Sequence, residues 1–255
     1  MRRTVIFIQA RTGSTRLPGK VLKLACGKTL LELMMERVLA ATTYDEVVVI
    51  TTTKTEDDVI VELCNLKSWN CFRGSEQNVL ERHYQAAVQY HATDVVKIPS
   101  DCPLIDPAVI DQVITYYYNN TYDYVSNLHP ATFPDGNDVE IMTMDSMEKS
   151  YKGATKNFET EHTTPYIWNR PELFKLGNVA MEGENDLSLV YRLTLDHIED
   201  YTLISAIFER LYDNGQIFAM QEIIDLLKSE PELLALNQKY IGVNWYQPYL
   251  SELNI

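Results

Sequence analysis

T-V-I-F-I-Q-A-R-T-G-S-T-R-L-P-G-K, residues 4–20, joins a short apolar run to a loop that is rich in glycine and basic residues. The run from Thr4 to Ile8 is β-branched and aromatic, which predicts a buried strand. The loop from Gln9 to Lys20 holds three cations, two glycines and a hydroxyl residue on either side of the first glycine. Glycine lets backbone N–H groups turn toward phosphate oxygens, and arginine and lysine neutralise those oxygens. The stretch therefore predicts an anion-binding loop after the first strand.

The distribution of charge supports an anion site at this position. The 255-residue chain has a net charge of −14, yet its first acidic residue is Glu32, and seven basic residues precede it. An acidic protein repels polyanions in general, so a basic cluster indicates a place where one must be attracted. The alternative is a solvated turn with incidental cations. The acidic balance argues against nucleic acid as a main partner.

Other bulk properties exclude several classes of protein. No apolar run approaches the ~20 residues that a membrane helix requires, so we expect no membrane partner. The N-terminal segment lacks the features of a signal peptide, and we expect a cytoplasmic protein. The four cysteines form no C-x-x-C pair, so neither zinc nor disulfide bonds are expected.

Two familiar phosphate loops do not fit the stretch. A Walker loop needs four residues between its glycines and Ser or Thr after its lysine. Here five residues separate Gly13 from Gly19, and Val21 follows Lys20. The loop also lacks the G-x-G-x-x-G pattern of dinucleotide-binding folds.

Strand-like and helix-like segments alternate along the chain, which predicts an α/β fold with a mostly parallel sheet sandwiched by helices. Ligands of such sheets lie beyond the carboxyl ends of the strands. We interpret residues 1–255 as one domain with an excursion at about 139–187 and a helical C-terminus at about 198–255, whose aromatic tail packs on the domain. Later strands are predicted at Val47–Thr51, Cys71–Arg73, Asp94–Ile98, Tyr122–Leu128 and Val190–Leu195. Helices are predicted at Leu30–Leu39, Glu56–Leu66, Val79–Tyr90, Pro107–Tyr118, Ile198–Leu211, Gln221–Leu227 and Pro231–Tyr240.

The loop resembles the signature Q-A-R-x-G-S-x-R-L-P-G-K of the cytidylyltransferases that make CMP-sugar acids. It is most similar to the spore-coat polysaccharide type and more distantly similar to the 3-deoxy-manno-octulosonate and acylneuraminate enzymes. Further blocks follow in the order of that family, although Pro99 and Ser100 stand where Thr and Gly are common. They are R-G-S-E-Q-N-V-L-E-R from Arg73, D-C-P-L-I-D from Asp101, P-D-G-N-D-V-E from Pro134, E-H-T-T-P-Y from Glu161 and L-T-L-D-H-I-E-D from Leu193.

The resemblance implies a Rossmann-like fold of the nucleotide-diphospho-sugar transferase type and the reaction CTP + acceptor → CMP-acceptor + pyrophosphate. It implies a small acidic acceptor and a Mg²⁺ ion held by Asp101 and Asp196. The implied catalytic residues are Arg11, Arg16, Lys20 and Asp101. The implied nucleotide-binding residues are Gln9, Ala10, Arg11, Gly13, Ser14, Arg16, Lys20, Arg73, Gly74, Ser75, Asn78 and Ser100. The implied acceptor-binding residues are Arg82, Asp138, Glu140, Glu161 and His162.

Several alternatives stay open at the level of sequence. Asp196 precedes a predicted helix and has a plain interpretation as its N-cap. His162 could be a structural hydrogen-bonding residue rather than an acceptor ligand. The excursion could be the arm of a homodimer, as in the family, or a flap over its own cleft. Rival functions are CMP transfer to a phosphonate or phosphate, for which three cations are available, and non-catalytic binding of a cytidine nucleotide. Those cations are Lys156, Arg170 and Arg192.

Overall fold

A seven-stranded sheet forms the centre of the computed structural model, which describes residues 2–181, 183 and 186–253. Its spatial order is β5-β4-β1-β6-β8-β7-β9, and only β8 runs against the other six strands. This confirms the predicted α/β fold with a mostly parallel sheet. The strands are β1 (Thr4–Gln9), β2 (Leu24–Ala25), β3 (Lys28–Thr29), β4 (Glu46–Thr52), β5 (Asn70–Gly74), β6 (Asp94–Pro99), β7 (Tyr124–Ser126), β8 (Glu140–Thr143) and β9 (Leu176–Asn178), with β2 and β3 pairing apart from the main sheet.

Helices cover both faces of the sheet, which explains why β1 is apolar at nearly every position. Ile6 and Ile8 point into one core cluster, and Val5 and Phe7 point into a second one on the opposite face. Alternate residues of a strand point to opposite faces, so a strand covered on both sides reads as a continuous apolar run. The helices are α1 (Leu30–Leu39), α2 (Asp58–Lys67), α3 (Val79–Gln89), α4 (Pro107–Tyr118), α5 (Met144–Gly153), α6 (Asn157–Glu161), α7 (Pro165–Trp168), α8 (Ile198–Leu211), α9 (Met220–Ser229) and α10 (Pro231–Leu234).

Helix starts follow local sequence signals in some places and depart from the prediction in others. Thr29 caps α1 in a capping box with Glu32, as the sequence indicates. A 3-10 turn at Thr55–Asp57 precedes α2, so the α-helix begins two residues later than predicted. The predicted helix Pro231–Tyr240 is wrong beyond Leu234, because the chain leaves α10 there and turns again only in the short 3-10 segment Gln238–Tyr240.

The predicted strand Val190–Leu195 is also wrong. Val190 lies in a turn, and the residues after it form one β-bridge, between Asp135 and Arg192, instead of a strand. The backbone N–H of Asp135 donates to the carbonyl oxygen of Tyr191 at 3.0 Å, and its carbonyl oxygen accepts from the N–H of Leu193 at 2.7 Å. The segment 190–195 lies beside the turn at Asp135, and only Asp135 in that turn pairs with its backbone. A β-ladder needs several consecutive paired residues, so no strand forms.

The region 139–187 is partly built into the sheet. Its first residues form β8, its residues 176–178 form β9, and α5, α6 and α7 lie between these two strands. Residues 182, 184 and 185 of the predicted excursion lie outside the described residues. None of the helices described here combines the length and apolar character needed to cross a membrane.

Candidate active site

A cavity of about 1090 Å³ opens at the carboxyl ends of β1 and β6. Residues after β1, β6 and β7 line it, and so does Glu140, because the reversed strand β8 begins at this edge of the sheet. The predicted convergence of strand ends thus holds for β1 and β6, whereas the loops after β4 and β5 do not line the described cavity.

Most of the predicted site residues lie around this cavity. The β1 half of the cavity is defined by Arg11, Arg16, Lys20, Asp101 and Asp196, and the β8 half by Lys97, Asp138, Glu140, Glu161 and His162. The predicted residues that line the cavity are Gln9, Arg11, Ser14, Arg16, Lys20, Ser100, Asp101, Asp138, Glu140, Glu161, His162 and Asp196. The predicted residues outside the described lining are Ala10, Gly13, Arg73, Gly74, Ser75, Asn78 and Arg82.

Hydrogen bonds to the side chain of Asp57 anchor the anion-binding loop. This carboxylate accepts hydrogen bonds from the backbone N–H and the hydroxyl of Thr12, each at 2.7 Å, and from the hydroxyl of Thr52. The N–H of Gly19 donates to the carbonyl oxygen of Thr12 at 2.9 Å, and Gly19 has a φ of 65°. Glycine adopts this left-handed conformation at little steric cost. The shape of the loop is therefore fixed by the protein itself.

Lys20 lies between the two aspartates that are predicted to hold a metal. Its ammonium is 3.0 Å from Asp196 Oδ1, 3.4 Å from Asp101 Oδ2 and 2.7 Å from the carbonyl oxygen of Leu195. Arg16 pairs with the same Asp196 oxygen at 2.7 Å. Burial alone would raise the pKa of Asp196, but Lys20 and Arg16 outweigh burial and lower it to about 2. Burial likewise opposes the charge of Lys20, but the carboxylates prevail and raise its pKa.

The extended segment 192–196 brings Asp196 to Asp101. The N–H of Leu195 donates to the carbonyl oxygen of Asp101 at 2.8 Å, and the Thr194 hydroxyl donates to the same oxygen at 3.2 Å. These two bonds fix the segment beside the loop after β6. Two carboxylates that lie 95 positions apart in the sequence therefore meet at one ammonium group.

The N-cap interpretation of Asp196 is wrong, because Asp200 caps α8 from within its first turn. The Asp200 carboxylate accepts from the backbone N–H groups of Asp196 and His197 at 2.9 and 2.8 Å. Arg192 donates to Asp200 at 3.0 Å and orients it. The side chain of Asp196 is drawn instead toward Lys20 and the cavity.

Lys97 is a cavity residue that the sequence analysis missed. Its ammonium pairs with Glu140, and the hydroxyl of Tyr124 donates to the other Glu140 oxygen at 2.6 Å. Burial alone would lower the pKa of Lys97, but Glu140 outweighs it and raises that pKa. The available signal was a lone charged residue inside the apolar strand D-V-V-K-I-P.

Two further carboxyl groups line the cavity and are hard to ionise. Burial, with the charges of Asp135 and Asp101, raises the pKa of Asp138 to about 8. Burial also raises the pKa of Asp135 to about 7, although Arg192 lies 3.1 Å away and opposes this.

His162 contacts the tail of the chain with one face of its ring. The ring of Trp245 stacks on it at a centroid distance of 3.6 Å and an interplanar angle of 15°. Burial, with a smaller effect of Lys97, lowers the pKa of His162 to about 3. A neutral imidazole suits hydrogen bonding to a ligand and does not suit proton donation at neutral pH.

The R-G-S segment at the end of β5 makes structural contacts. Arg73 donates to the backbone carbonyl oxygens of Thr52, the last residue of β4, and of Lys54 at 2.8 and 2.7 Å, and Asn78 caps α3. Arg82 is fully buried and donates to the carbonyl oxygen of Ser75 at 2.8 Å. A Cβ on Gly74 would lie 2.9 Å from Arg82 Cγ, so glycine is needed there for packing. Arg73 and Asn78 thus hold the end of β4 and the start of α3, and they lie outside the described cavity lining.

The cations named for a phosphonate acceptor are already paired. Lys156 pairs with Glu252 at 3.0 Å and Arg170 with Glu159 at 2.6 Å, and neither lines the described cavity. Arg192 lines the cavity but is held by Asp135 and Asp200.

A glycine-containing cation loop thus follows β1, and two carboxylates converge on it at the edge of an α/β sheet. A sequence model of the cytidylyltransferases matches residues 5–233, and the chain belongs to the cytidylyltransferase family. It is 31% identical over 242 residues to the spore coat polysaccharide biosynthesis protein SpsF of Bacillus subtilis, covering 91% of this chain and 97% of SpsF. It is 35% identical over 135 residues to a 3-deoxy-manno-octulosonate cytidylyltransferase of Chlamydia trachomatis, covering 51% of each. A solved cytidylyltransferase of Leptospira borgpetersenii superposes with a TM-score of 0.86 at 33% identity, covering 92% of this chain and 97% of that one.

Proposed function

We propose that the protein transfers CMP from CTP to a small acidic acceptor, a sugar acid used in surface polysaccharide synthesis, and releases pyrophosphate. The observation that carries the proposal is the convergence of Lys20, Arg16, Asp101 and Asp196 beside the anion-binding loop of a cytidylyltransferase. In this reaction an acceptor oxygen attacks the α-phosphorus while the bond from that phosphorus to the leaving pyrophosphate breaks. The protein's task is to align the reactants and to neutralise charge.

Arg11, Arg16 and Lys20 have the charge and position to bind the triphosphate. Arg11 forms no ion pair among the described residues, so its guanidinium is available to bind a phosphate group. Arg16 and Lys20 hold carboxylates, and phosphate oxygens would take over part of their hydrogen bonding. Negative charge develops on the leaving pyrophosphate, where fixed cations stabilise the transition state more than the ground state.

Asp101 and Asp196 fit a magnesium ion. Both carboxylates reach a common cation, Lys20, which shows that they point at the same small volume. Mg²⁺ binds through one or two carboxylates together with substrate phosphates, and the described residues hold no larger cluster of metal-binding side chains. When bound, the ion would neutralise the triphosphate and polarise the α-phosphate.

The β8 half of the cavity is proposed to hold the acceptor. Lys97 is a buried cation of this half and is paired with Glu140, and His162 and Glu161 offer hydrogen-bonding groups. Lys156 and Arg170 lie outside the described lining and Arg192 is held by Asp135 and Asp200, so these cations add no free positive charge for a phosphate-bearing acceptor. A sugar acid is also the substrate type of the 3-deoxy-manno-octulosonate relative.

We also propose a cytoplasmic homodimer. The four cysteines are free thiols, which suits a reducing compartment. The long region 139–183 has room for a second role at a subunit contact. Light scattering at micromolar concentration should give twice the 29.3 kDa chain mass. A mass of one chain would favour the flap interpretation of this region.

Pyrophosphate release tests the proposed function. CTP with Mg²⁺ and a panel of acids, 3-deoxy-manno-octulosonate, N-acetylneuraminate and an alkyl phosphonate, should give release with a sugar acid only. ATP and GTP should be poor substrates, and Asp101→Asn should abolish turnover while its melting curve stays cooperative. Equal rates with a purine nucleotide would remove the cytidylyl assignment. If isothermal titration showed CTP binding but no acceptor gave turnover, the protein would instead be a non-catalytic nucleotide-binding protein.

A further inference from the structure

The end of the chain lies across one half of the cavity. The family match ends at residue 233, and residues 242–253, which we call the C-terminal strap, lie beyond it. Residues 242–246, 248 and 249 of the strap nevertheless line the cavity together with the residues of the anion-binding loop. A segment outside the family match thus supplies part of the wall of the proposed active site.

The contacts of the strap connect several lining residues of the cavity. At its start, a Cβ on Gly242 would lie 3.4 Å from Leu189, which lines the cavity. Trp245 then stacks on His162, another lining residue, at 3.6 Å. Tyr249 continues with a ring contact to Phe158 at 5.0 Å. The strap therefore follows the cavity from Leu189 to His162.

Both ends of the strap are anchored. Upstream, the buried Asn237 donates to the carbonyl oxygen of Arg192 at 2.9 Å and to Asp200 at 2.8 Å. Downstream, Glu252 pairs with Lys156 at 3.0 Å, and Leu253 is buried in the core cluster on this face of the sheet. The aromatic middle of the strap is held in place between these two anchors.

The strap faces the β8 half of the cavity. His162, its stacking partner, belongs to this half, whereas the ring contacts and ion pair of the strap do not include the loop at residues 9–20 within the described part of the chain. The triphosphate cations lie in the β1 half. The strap is thus placed to contact the acceptor and not the phosphates.

We infer that the strap is a wall of the acceptor subsite and that Trp245 is the residue in it that determines acceptor specificity. The inference deepens the proposed function and rests on it. An aromatic ring fits the apolar C–H face of a polyhydroxylated ring. Asn244 and Tyr246 line the same cavity, and the Asn244 amide donates to the Tyr246 hydroxyl at 2.9 Å, which leaves the amide oxygen of Asn244 and the hydroxyl hydrogen of Tyr246 for the hydroxyls of such a ring. Stacking on His162 fixes the plane of the indole, so the acceptor meets a preformed surface.

Kinetics of three variants test this role: Trp245→Ala, Trp245→Phe and a chain that ends at Ile241, which keeps the Asn237 anchor. Trp245→Ala and the shortened chain should raise the KM for the sugar acid at least ten-fold, with kcat within about three-fold and the Kd for CTP unchanged in calorimetry. Trp245→Phe keeps an aromatic face and should recover most of the loss. Trp69→Phe, a half-buried tryptophan outside the cavity lining, is the matched control and should change neither constant.

The outcomes separate the two proposals. An unchanged KM for the acid in the shortened chain would overturn the strap inference and leave the proposed function standing. A Kd for CTP that rises as much as the KM, or a loss in Trp245→Phe equal to that in Trp245→Ala, would also overturn it. Wild-type protein that turns over none of the acids would remove the proposed function and the strap inference with it.

Discussion

Replacing Lys20 with methionine leaves two carboxylates facing each other without their shared cation. Their oxygens lie 3.0 and 3.4 Å from the Lys20 ammonium, and the side chains of Lys20 and Asp196 are 13% and 17% exposed. Two unit charges about 6 Å apart repel by about 3 kcal/mol at an effective dielectric constant of about 20. Removing one partner of a buried ion pair costs about 3–5 kcal/mol, and partial exposure reduces this figure. We expect Lys20→Met to lose about 3 kcal/mol of stability at about pH 7.5.

Thermal melting in EDTA and in Mg²⁺ is the assay for this prediction. A loss of about 3 kcal/mol should lower the melting temperature by about 6–12 °C for a chain of this size. Mg²⁺ should restore much of the loss, because in this variant no ammonium competes for the space between the carboxylates. Lower pH should restore it too. Repulsion raises the pKa of one carboxyl in the folded variant, so the loss of stability relative to wild type is smallest where that carboxyl is protonated and grows as the pH rises through its raised pKa.

Lys54→Met is the matched control, since Lys54 also pairs with a carboxylate but is 52% exposed in its side chain. It should melt close to wild type and show no response to Mg²⁺. The reasoning would be refuted if Lys20→Met lost no more stability than Lys54→Met. It would also be refuted if Mg²⁺ stabilised the wild-type protein as much as the variant, because the carboxylates would then not be the site of binding.

Three further substitutions test the anion-binding loop, the segment 192–196 and the buried carboxyl group of Asp138. Arg16→Ala should slow pyrophosphate release by about 10²–10³ with a small change in melting, because the Arg16 side chain is half exposed and its proposed role is to stabilise the charge that develops on the leaving pyrophosphate. Gly136→Ala should lose about 2–4 kcal/mol in urea unfolding and most activity, since Gly136 has a φ of 105° and a Cβ there would lie 2.6 Å from the backbone of Leu193. Asp138→Asn should gain stability over wild type as the pH rises from about 4 to 8, reaching a few kcal/mol in ligand-free protein, because the raised pKa of Asp138 makes wild-type stability fall over that window.

Each of these has a control and an opposing result. Arg3→Ala removes another half-exposed ion pair and should keep its rate, and a wild-type rate in Arg16→Ala would place Arg16 outside the site. Gly215 has a φ of 87°, but the nearest atom to a Cβ at this position would be 4.0 Å away, so Gly215→Ala isolates backbone strain from the clash. Equal losses in the two glycine variants would argue against the close contact at Leu193. A difference between Asp138→Asn and wild type that does not vary with pH would contradict the raised pKa.

The sequence was informative where function depends on short segments. The β1 strand and its loop are continuous in the chain, and the apolar run, the glycines and the cations can all be read within residues 4–20. The capping box at Thr29 and Glu32 is equally local. The pairing of Asp101 with Asp196 was implied by the family resemblance, and the strand predicted before Asp196 does not form. The structure adds that the contact is made through backbone bonds from Leu195 to Asp101.

Other features could not be read from local patterns. The segment 190–195 has the alternation of a strand, but its neighbour in space is the turn at Asp135, which provides no continuing ladder. Lys97 enters the site because β8 is reversed and places Glu140 beside it. The stacking of Trp245 on His162 joins residues 83 positions apart, and no periodicity in the tail encodes it. Each of these depends on which elements become neighbours after folding.

If the proposed function is correct, the arrangement around Lys20 explains how so acidic a protein can keep a site for a polyanion. Arg16 and Lys20 are bound to Asp196 and Asp101, so the β1 half of the cavity has an excess of only one positive charge, that of Arg11. Triphosphate arriving alone would meet both carboxylates, and Mg²⁺ arriving alone would meet the ammonium of Lys20. A triphosphate together with Mg²⁺ would satisfy both sets at once, because Asp101 and Asp196 would hold the metal and the cations would hold the phosphates. We therefore expect the pairing within the site to favour the metal-nucleotide complex over either component.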